Sequence, residues 1–232
     1  MDKQLTEHGI GYVMTQRLIS ENIIDSILAK AHLLTPVRAS SSTMQYAEGA
    51  AIKDLPDVSV WWSQMVMDWP EVIEIEKIIN PLVEHFLKNL TWYTSDIVTI
   101  EPKTNWINPH VDTPHRFKEW NTDPSMLGLQ CIVALQDTGR ANGATGIVPG
   151  SQAFNWDIEK CYAGEYTSYF KSQYIQPTMP KGSVIMYGSR LLHSSMPNFS
   201  DKPRPALLLN YLRSDIVEEV RRQDNIWKHN NS

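Results

Sequence analysis

Apolar residues in the first third of the chain recur with the period of a helix; from about residue 91 they gather into short blocks instead. Ile23, Ile24, Ile27, Leu28, Ala31 and Leu34 follow Ser20, a side chain suited to an N-cap, and predict one helix. Val72, Ile75, Ile78, Ile79, Leu82, Val83, Phe86 and Leu87 predict a second. It starts near Pro70, whose missing N–H has no intrahelical partner in a first turn anyway. Pro81 falls inside this second set and is expected to kink or divide it. Ahead of both, GYVMTQRLI (11–19) is β-prone.

The later blocks are SDIVTIEP (95–102), GLQCIVALQD (128–137), ATGIVPGS (144–151), GSVIMYGSRLLHSS (182–195) and RPALLLNYLR (204–213). Gly, Pro, Asn and Asp bound them, and Asn142–Gly143 is a turn pair. Short strands with turn signals between them indicate a β-sandwich or double-sheet barrel. The blocks are apolar at successive positions, as expected of a sheet with a core on one face and helices on the other. The expected organisation is a single domain, mainly β with helical buttresses. A helical part covers about 1–90, a β core about 91–213, and a last helix that frays covers 214–232.

Composition adds bounds rather than identity. The 232 residues are 42% hydrophobic and 20% charged, ordinary for a globular chain able to bury a sizeable core. A formal charge of −5 argues against a nucleic-acid surface, which needs a basic stripe to neutralise phosphates. Cys131 and Cys161 form no CxxC pair and are read as reduced thiols. The opening MDKQLTEHGIGYVM lacks a signal-like apolar run, and no stretch approaches the roughly 18 residues that span a bilayer. A cytoplasmic protein without membrane or nucleic-acid partners is expected.

The candidate chemistry lies in NPHVDTPHRFK (108–118). On a strand, positions i and i+2 share a face, so His110 and Asp112 can converge on one ion. A third ligand must come from elsewhere, and His193 stands near the end of the 182–195 block. Two histidines and one carboxylate with open positions are a facial triad, which accommodates Fe(II), Mn or Zn. By itself H-x-D is a weak motif, and His193 also reads as a histidine satisfied at a strand end. His115, beyond Pro114, does not share the strand face and belongs to the following loop. Arg204, 11 residues past His193, opens an apolar strand. Its guanidinium suits a ligand carboxylate held by two parallel hydrogen bonds, and equally an acidic side chain across the sheet. Gln130, Ile132 and Ala134 alternate on one strand face; Gln130 either reaches a ligand in the barrel or lies at a sheet edge. Trp106, Thr113, Arg116 and Trp120 flank the motif and are candidates for a substrate mouth, although most of the eight tryptophans read as packing residues.

With those residues in place the chain resembles the phytanoyl-CoA dioxygenase family of Fe(II)/2-oxoglutarate-dependent oxygenases. HGIGYVMTQRLISENIIDSI is similar to its opening strand and helix, IVALQDTGRANGATGIVPGSQ to its central stretch, and KGSVIMYGSRLLHSS to the strand delivering the distal histidine. The similarities run in the expected order over most of residues 8–213. Val111 and Gln152 depart from the residues common at those positions, glutamine and histidine, and neither is a ligand position. The resemblance implies a double-stranded β-helix (jelly-roll, cupin-like) core. It implies iron held by His110, Asp112 and His193, and 2-oxoglutarate held at its far carboxylate by Arg204 and Ser195; Gln130 joins them as a cosubstrate contact only if its strand face lines the barrel. With O2, such an enzyme releases succinate and CO2 and hydroxylates an unactivated C–H bond. Asp112 keeps a carboxylate where related halogenases carry a small residue, so hydroxylation is the expected outcome.

The substrate is expected to be a small metabolite. Arg116 and Lys118 suggest an anionic group on it. Two other classes share the same residues: a cupin-like dioxygenase or isomerase that does not use 2-oxoglutarate, and a non-catalytic jelly-roll binding protein.

Overall fold

The computed structural model describes residues 9–31, 37–40, 60–123 and 125–230. In chain order the elements are β1 (Tyr12–Thr15), α1 (Glu21–Ala31), β2 (Val37–Ser40), β3 (Val60–Met65), α2 (Pro70–Phe86) and β4 (Leu90–Ile100). There follow α3 (Lys118–Asn121), β5 (Gly128–Ala134), β6 (Thr145–Ile147), α4 (Ile158–Tyr162) and α5 (Thr167–Gln173). The chain continues through β7 (Val184–Gly188), β8 (His193–Ser195), β9 (Arg204–Arg213) and α6 (Val217–Asn230). Leu34, assigned above to the first helix, lies outside the described residues.

Seven strands form one antiparallel sheet in the order β1-β7-β5-β9-β4-β3-β2, and β6 pairs with β8 in a second. Isolated bridges widen the small sheet: Ile147 pairs with Ile175 and His110 with His193. The large sheet facing the small one is the jelly-roll arrangement expected of the core.

The two faces of the large sheet bury different partners. Residues 129, 131 and 133 of β5, 184 and 186 of β7 and 207 and 209 of β9 pack against α1 and α2. Their neighbours Ile132, Ala134, Ile185, Tyr187 and Ala206 point between the sheets. From α2 come Val72, Ile75, Ile79 and Val83, all fully buried, each worth about 1.5–3 kcal/mol relative to exposure. The outer face of the small sheet is covered by Cys161 of α4, Phe170 of α5 and Trp156, which precedes α4. Phe117, Leu127 and Leu212 receive Ile216, Val217 and Val220, the last two from α6.

Three expectations change. Helix α2 runs unbroken through Pro81. That residue is exposed, as is Lys77, so the carbonyl left without an N–H partner faces water, while the buried stripe on the opposite side holds the helix against the sheet. Residues before 91 also supply three strands. β1 pairs with β7, and the β2–β3 pair extends the sheet beyond β4. In VWWSQM the β-branched and aromatic residues fit that assignment, but its partners in β4 lie 31 (Met65–Asp96) to 39 (Trp61–Ile100) positions away in the chain. Finally, the 182–195 block is two strands in two sheets. The chain turns at Gly188–Leu191, where Leu191 N–H donates to the Gly188 carbonyl (2.9 Å), and re-emerges as β8 in the opposite sheet.

Candidate active site

Segment 107–112 lies along β8 and is held by backbone hydrogen bonds. Ile107 N–H donates to Ser195 (3.0 Å), His110 and His193 exchange both bonds (2.9 and 3.0 Å), and Asp112 N–H donates to Ser189 (2.8 Å). The extended backbone alternates: Val111, 2% exposed, packs outward with Leu192, while His110 and Asp112 line the cavity between the sheets. On β8, His193 and Ser195 face the same cavity. Strand periodicity thus brings together residues 81 positions apart in sequence.

The candidate ligand atoms of His110, Asp112 and His193 all lie within 4.8 Å of one another. His193 Nε2 is 3.5 Å from Asp112 Oδ1, and the two imidazole centroids are 4.5 Å apart. Each histidine is oriented the same way. His110 Nδ1 is 2.8 Å from the Asn108 carbonyl and His193 Nδ1 is 2.9 Å from that of Leu191. A carbonyl only accepts, so both Nδ1 atoms carry a proton and both Nε2 atoms are turned to the cluster, the orientation a metal needs. Burial, with the neighbouring His193, pushes His110 down to about 4 and keeps it neutral. Burial works against ionised Asp112 too, but His193 beside it outweighs that and holds the carboxyl below its usual range. For His193, burial lowers the pKa and the adjacent Asp112 more than reverses this.

The same cavity, about 240 Å³, is lined at its other end by Arg204. This arginine is 3% exposed and stands at the start of β9. Its Nη2 donates to the Gly143 carbonyl (2.6 Å), and its Nε is buried with no hydrogen-bond partner. Burial lowers it to about 10, so it remains a cation at neutral pH, and among the described residues no carboxylate pairs with it. A buried cation without a counter-charge costs several kcal/mol. Gly143 occupies a left-handed conformation (φ +77°), and a Cβ there would stand 2.8 Å from the Met196 carbonyl. The Asn142–Gly143 turn therefore does more than reverse the chain: it presents a carbonyl to Arg204.

Gln130 lines the cavity, and its carbonyl oxygen accepts the Tyr187 hydroxyl. That leaves its amide N–H groups for a ligand. Tyr187 is fully buried, its ring 4.9 Å from that of His193. Sequence reading missed Tyr187, Thr145 and Tyr162, all of which line the cavity. Tyr187 was findable as the one polar side chain in VIMYG, and Thr145 as the register partner of Ser195 once β6 and β8 are paired. Tyr162 arrives on α4 and leaves no pattern in the sequence.

Other candidates fall elsewhere. His115 is fully buried, with Nδ1 at 3.0 Å from the Trp120 carbonyl, and is not part of the cluster. Trp106 packs behind the small sheet and Trp120 against Phe117 near α6, so neither shapes a mouth. Thr113 and Arg116 line a second cavity, with Arg116 ion-paired to Asp224, and Lys118 is exposed on α3. Cys131 and Cys161 are both free and buried. Among the described residues no helix is long and apolar enough to cross a membrane.

Known proteins resemble this arrangement. A probable alpha-ketoglutarate-dependent hypophosphite dioxygenase of Stutzerimonas stutzeri is 29% identical over 156 residues, 62% of this chain and 52% of that protein. A phytanoyl-CoA dioxygenase of Arabidopsis thaliana is 31% identical over 116 residues, 46% of this chain and 38% of that one. The chain thus spans about half or less of the length of these curated relatives. Among solved structures, the non-heme alpha ketoglutarate dependent epimerase SnoN from nogalamycin biosynthesis superposes with a TM-score of 0.65 at 19% identity, over 87% of this chain and 76% of its own. HygX from Streptomyces hygroscopicus, with nickel and 2-oxoglutarate bound, gives 0.66 at 14% identity, over 92% and 87%. The sequence profile of the Phytanoyl-CoA dioxygenase (PhyH) family matches residues 8–206, and the chain belongs to that family.

Proposed function

We propose that the protein is an Fe(II)- and 2-oxoglutarate-dependent dioxygenase that hydroxylates an unactivated C–H bond of a small metabolite, releasing succinate and CO2. The observation that carries this reading is Arg204. A buried guanidinium with a free Nε and no acidic partner among the described residues, in one cavity with a two-histidine, one-carboxylate cluster, calls for a ligand that is itself a carboxylate. That is the shape of 2-oxoglutarate: a chelating keto-acid at one end and a carboxylate at the other. A cupin-like enzyme or a binding protein that takes no carboxylate ligand would leave this arginine without a counter-charge among the described residues.

His110, Asp112 and His193 would hold the metal through two neutral Nε2 atoms and an ionised carboxylate. Arg204 and Ser195 would hold the far carboxylate, with the Gly143 carbonyl keeping the guanidinium in place. Gln130, its carbonyl engaged by Tyr187, presents N–H groups to the cavity. Iron, when bound with 2-oxoglutarate and O2, supplies the oxidising power for C–H cleavage, which no side chain here can supply. The protein orients both organic molecules and excludes water. Structural neighbours include an epimerase, so the outcome written on the substrate depends on what is placed before the metal.

Anaerobic addition of Fe(II) and 2-oxoglutarate tests the reading. A weak visible absorption band from the chelate is expected in the wild type and absent in His110→Ala, with succinate formed once air is admitted. No band and no succinate in the wild type overturns it.

A further inference from the structure

The space between the sheets does not end at the metal cluster. Along β9, Arg204 and Leu208 line the first cavity, and Asn210 and Leu212 line a second of about 250 Å³. The two cavities therefore follow one another down a single strand, with Asp112 and Gln130 touching both. The second is built mainly from hydroxyl and amide groups. Thr94 and Asn210 are register partners on β4 and β9, and Asn210 Nδ2 donates to Thr94 Oγ1 (3.0 Å). Helix α6 contributes Asp224, 8% exposed, which accepts from the Tyr93 hydroxyl (2.7 Å) and is ion-paired with Arg116.

This pairing decides the charge of the space. Among the described residues lining it, the full charges apart from Asp112 are those of Arg116 and Asp224, and they cancel. Three polar atoms are left over. Ser189 Oγ, on a residue 2% exposed, the Tyr211 hydroxyl and Asp112 Oδ2 are buried without a hydrogen-bond partner among the described residues. Buried polar atoms are rarely left so, and these adjoin a cavity that a ligand can enter. The volume is below the roughly 300–1,000 Å³ of pockets for drug-sized ligands, so it suits a compact molecule better than a long acyl chain.

We propose that this second cavity holds the organic substrate, and that the substrate is a compact, uncharged molecule rich in hydroxyl or amide groups, enclosed on one side by the C-terminal helix. The inference rests on the proposed function, since it places the substrate beside Asp112 and on the far side of it from Arg204. The family profile ends at residue 206, so the enclosing helix lies outside the matched region. Arg116, read from sequence as a hint of an anionic substrate, is instead a wall residue balanced by Asp224.

The test uses a panel of small polyols and neutral amides, set against carboxylates and phosphate esters of the same size and acyl-CoA thioesters. Two readouts are taken on the protein loaded with Fe(II) and 2-oxoglutarate: an anaerobic shift of the chelate band, and acceleration of succinate formation in air. Neutral polar compounds are expected to give both. Thr94→Trp, which fills the cavity, and Asn210→Leu, which removes the amide at similar volume, are expected to weaken both responses by about 100-fold while the chelate band itself persists. The proposal is overturned if only charged or long-chain compounds act, if hits act undiminished on both variants, or if nothing in the panel acts on a wild type that forms the band, which would mean the cavity holds only water. Absence of the band in the wild type is a separate failure, of the dioxygenase reading itself, and removes this inference with it.

Discussion

Strand β5 shows two kinds of surface on one stretch of chain. Leu129, Cys131 and Val133 face the helices in a closed apolar core whose members are 0–2% exposed. Gln130, one residue along, faces the other way into the space between the sheets, where Tyr187, Arg204 and His193 are buried beside a half-buried Asp112, with polar atoms aimed at one another or at nothing. Both faces are largely hidden from water. The first is apolar apart from the Tyr211 hydroxyl, which is buried without a partner among the described residues where Tyr211 lines the second cavity, whereas the other face gathers several charged and polar groups. Burial alone therefore does not mark a core: what separates the faces is how many polar groups are buried on each and what they meet.

If the faces differ in this way, substitutions on each should fail differently. Arg204→Ala is expected to raise the KM for 2-oxoglutarate by about 100-fold or more, as losing one side of a buried charge pair does, with Fe(II) affinity and thermal stability nearly kept. A 2-oxoglutarate requirement that stays at the wild-type value would break the comparison. Leu209→Ala, on the helix face and fully buried, should do the reverse: a loss of about 2–5 kcal/mol in denaturant unfolding with the KM for 2-oxoglutarate unchanged. Gly143→Ala sits between them. The added Cβ meets the Met196 carbonyl and disfavours a left-handed backbone, costing about 1–3 kcal/mol. Because the Gly143 carbonyl holds Arg204, its KM for 2-oxoglutarate should also rise, distinguishing it from Leu209→Ala in steady-state kinetics.

The smallest effect belongs to the helical layer. Glu71, in the first turn of α2, accepts from Ser26 (2.8 Å) and pairs with Lys30 (2.5 Å), joining α1 to α2. These partners, Lys30 foremost, hold its carboxyl at about 2 instead of the ordinary 4.5. A depressed carboxyl stabilises the fold above its unfolded pKa, and that contribution fades as pH falls from 4.5 toward 2. Lys30 is substantially exposed, so Glu71→Gln should cost only about 0.2–1 kcal/mol at pH 7. The difference between variant and wild type should vanish near pH 2, as read by urea unfolding across that range.

Much of the site was legible because it depends on short-range periodicity. His110 and Asp112 share a face for the same reason that Val111 does not, and the i, i+2 rule also pairs His193 with Ser195. Arg204 was visible as a charge opening an apolar strand, but whether it met an acidic side chain or awaited a ligand was open until its surroundings were known. The missed residues have a common cause. Tyr187 and Gln130 meet because β7 and β5 are register neighbours, and Asp224 reaches Arg116 and Tyr93 because α6 folds back over that end of the sheet. Pro81 misled for a related reason: its effect on α2 depends on which side of the helix faces water, and that side is set by packing against the sheet.

By itself, then, the sequence determined the strand-rich core, the two main helices, the H-x-D pair and the candidates for the third ligand and the arginine. Each follows from local spacing or from the chemistry of one side chain. Only the tertiary structure decided that the 182–195 block crosses from one sheet to the other, that Arg204 has no acidic partner among the described residues, that Arg116 does have one, and that a second cavity, where Arg116 and Asp224 offset each other, lies beyond Asp112. These depend on which distant segments become neighbours, and a buried charge takes its meaning from the neighbour it finds.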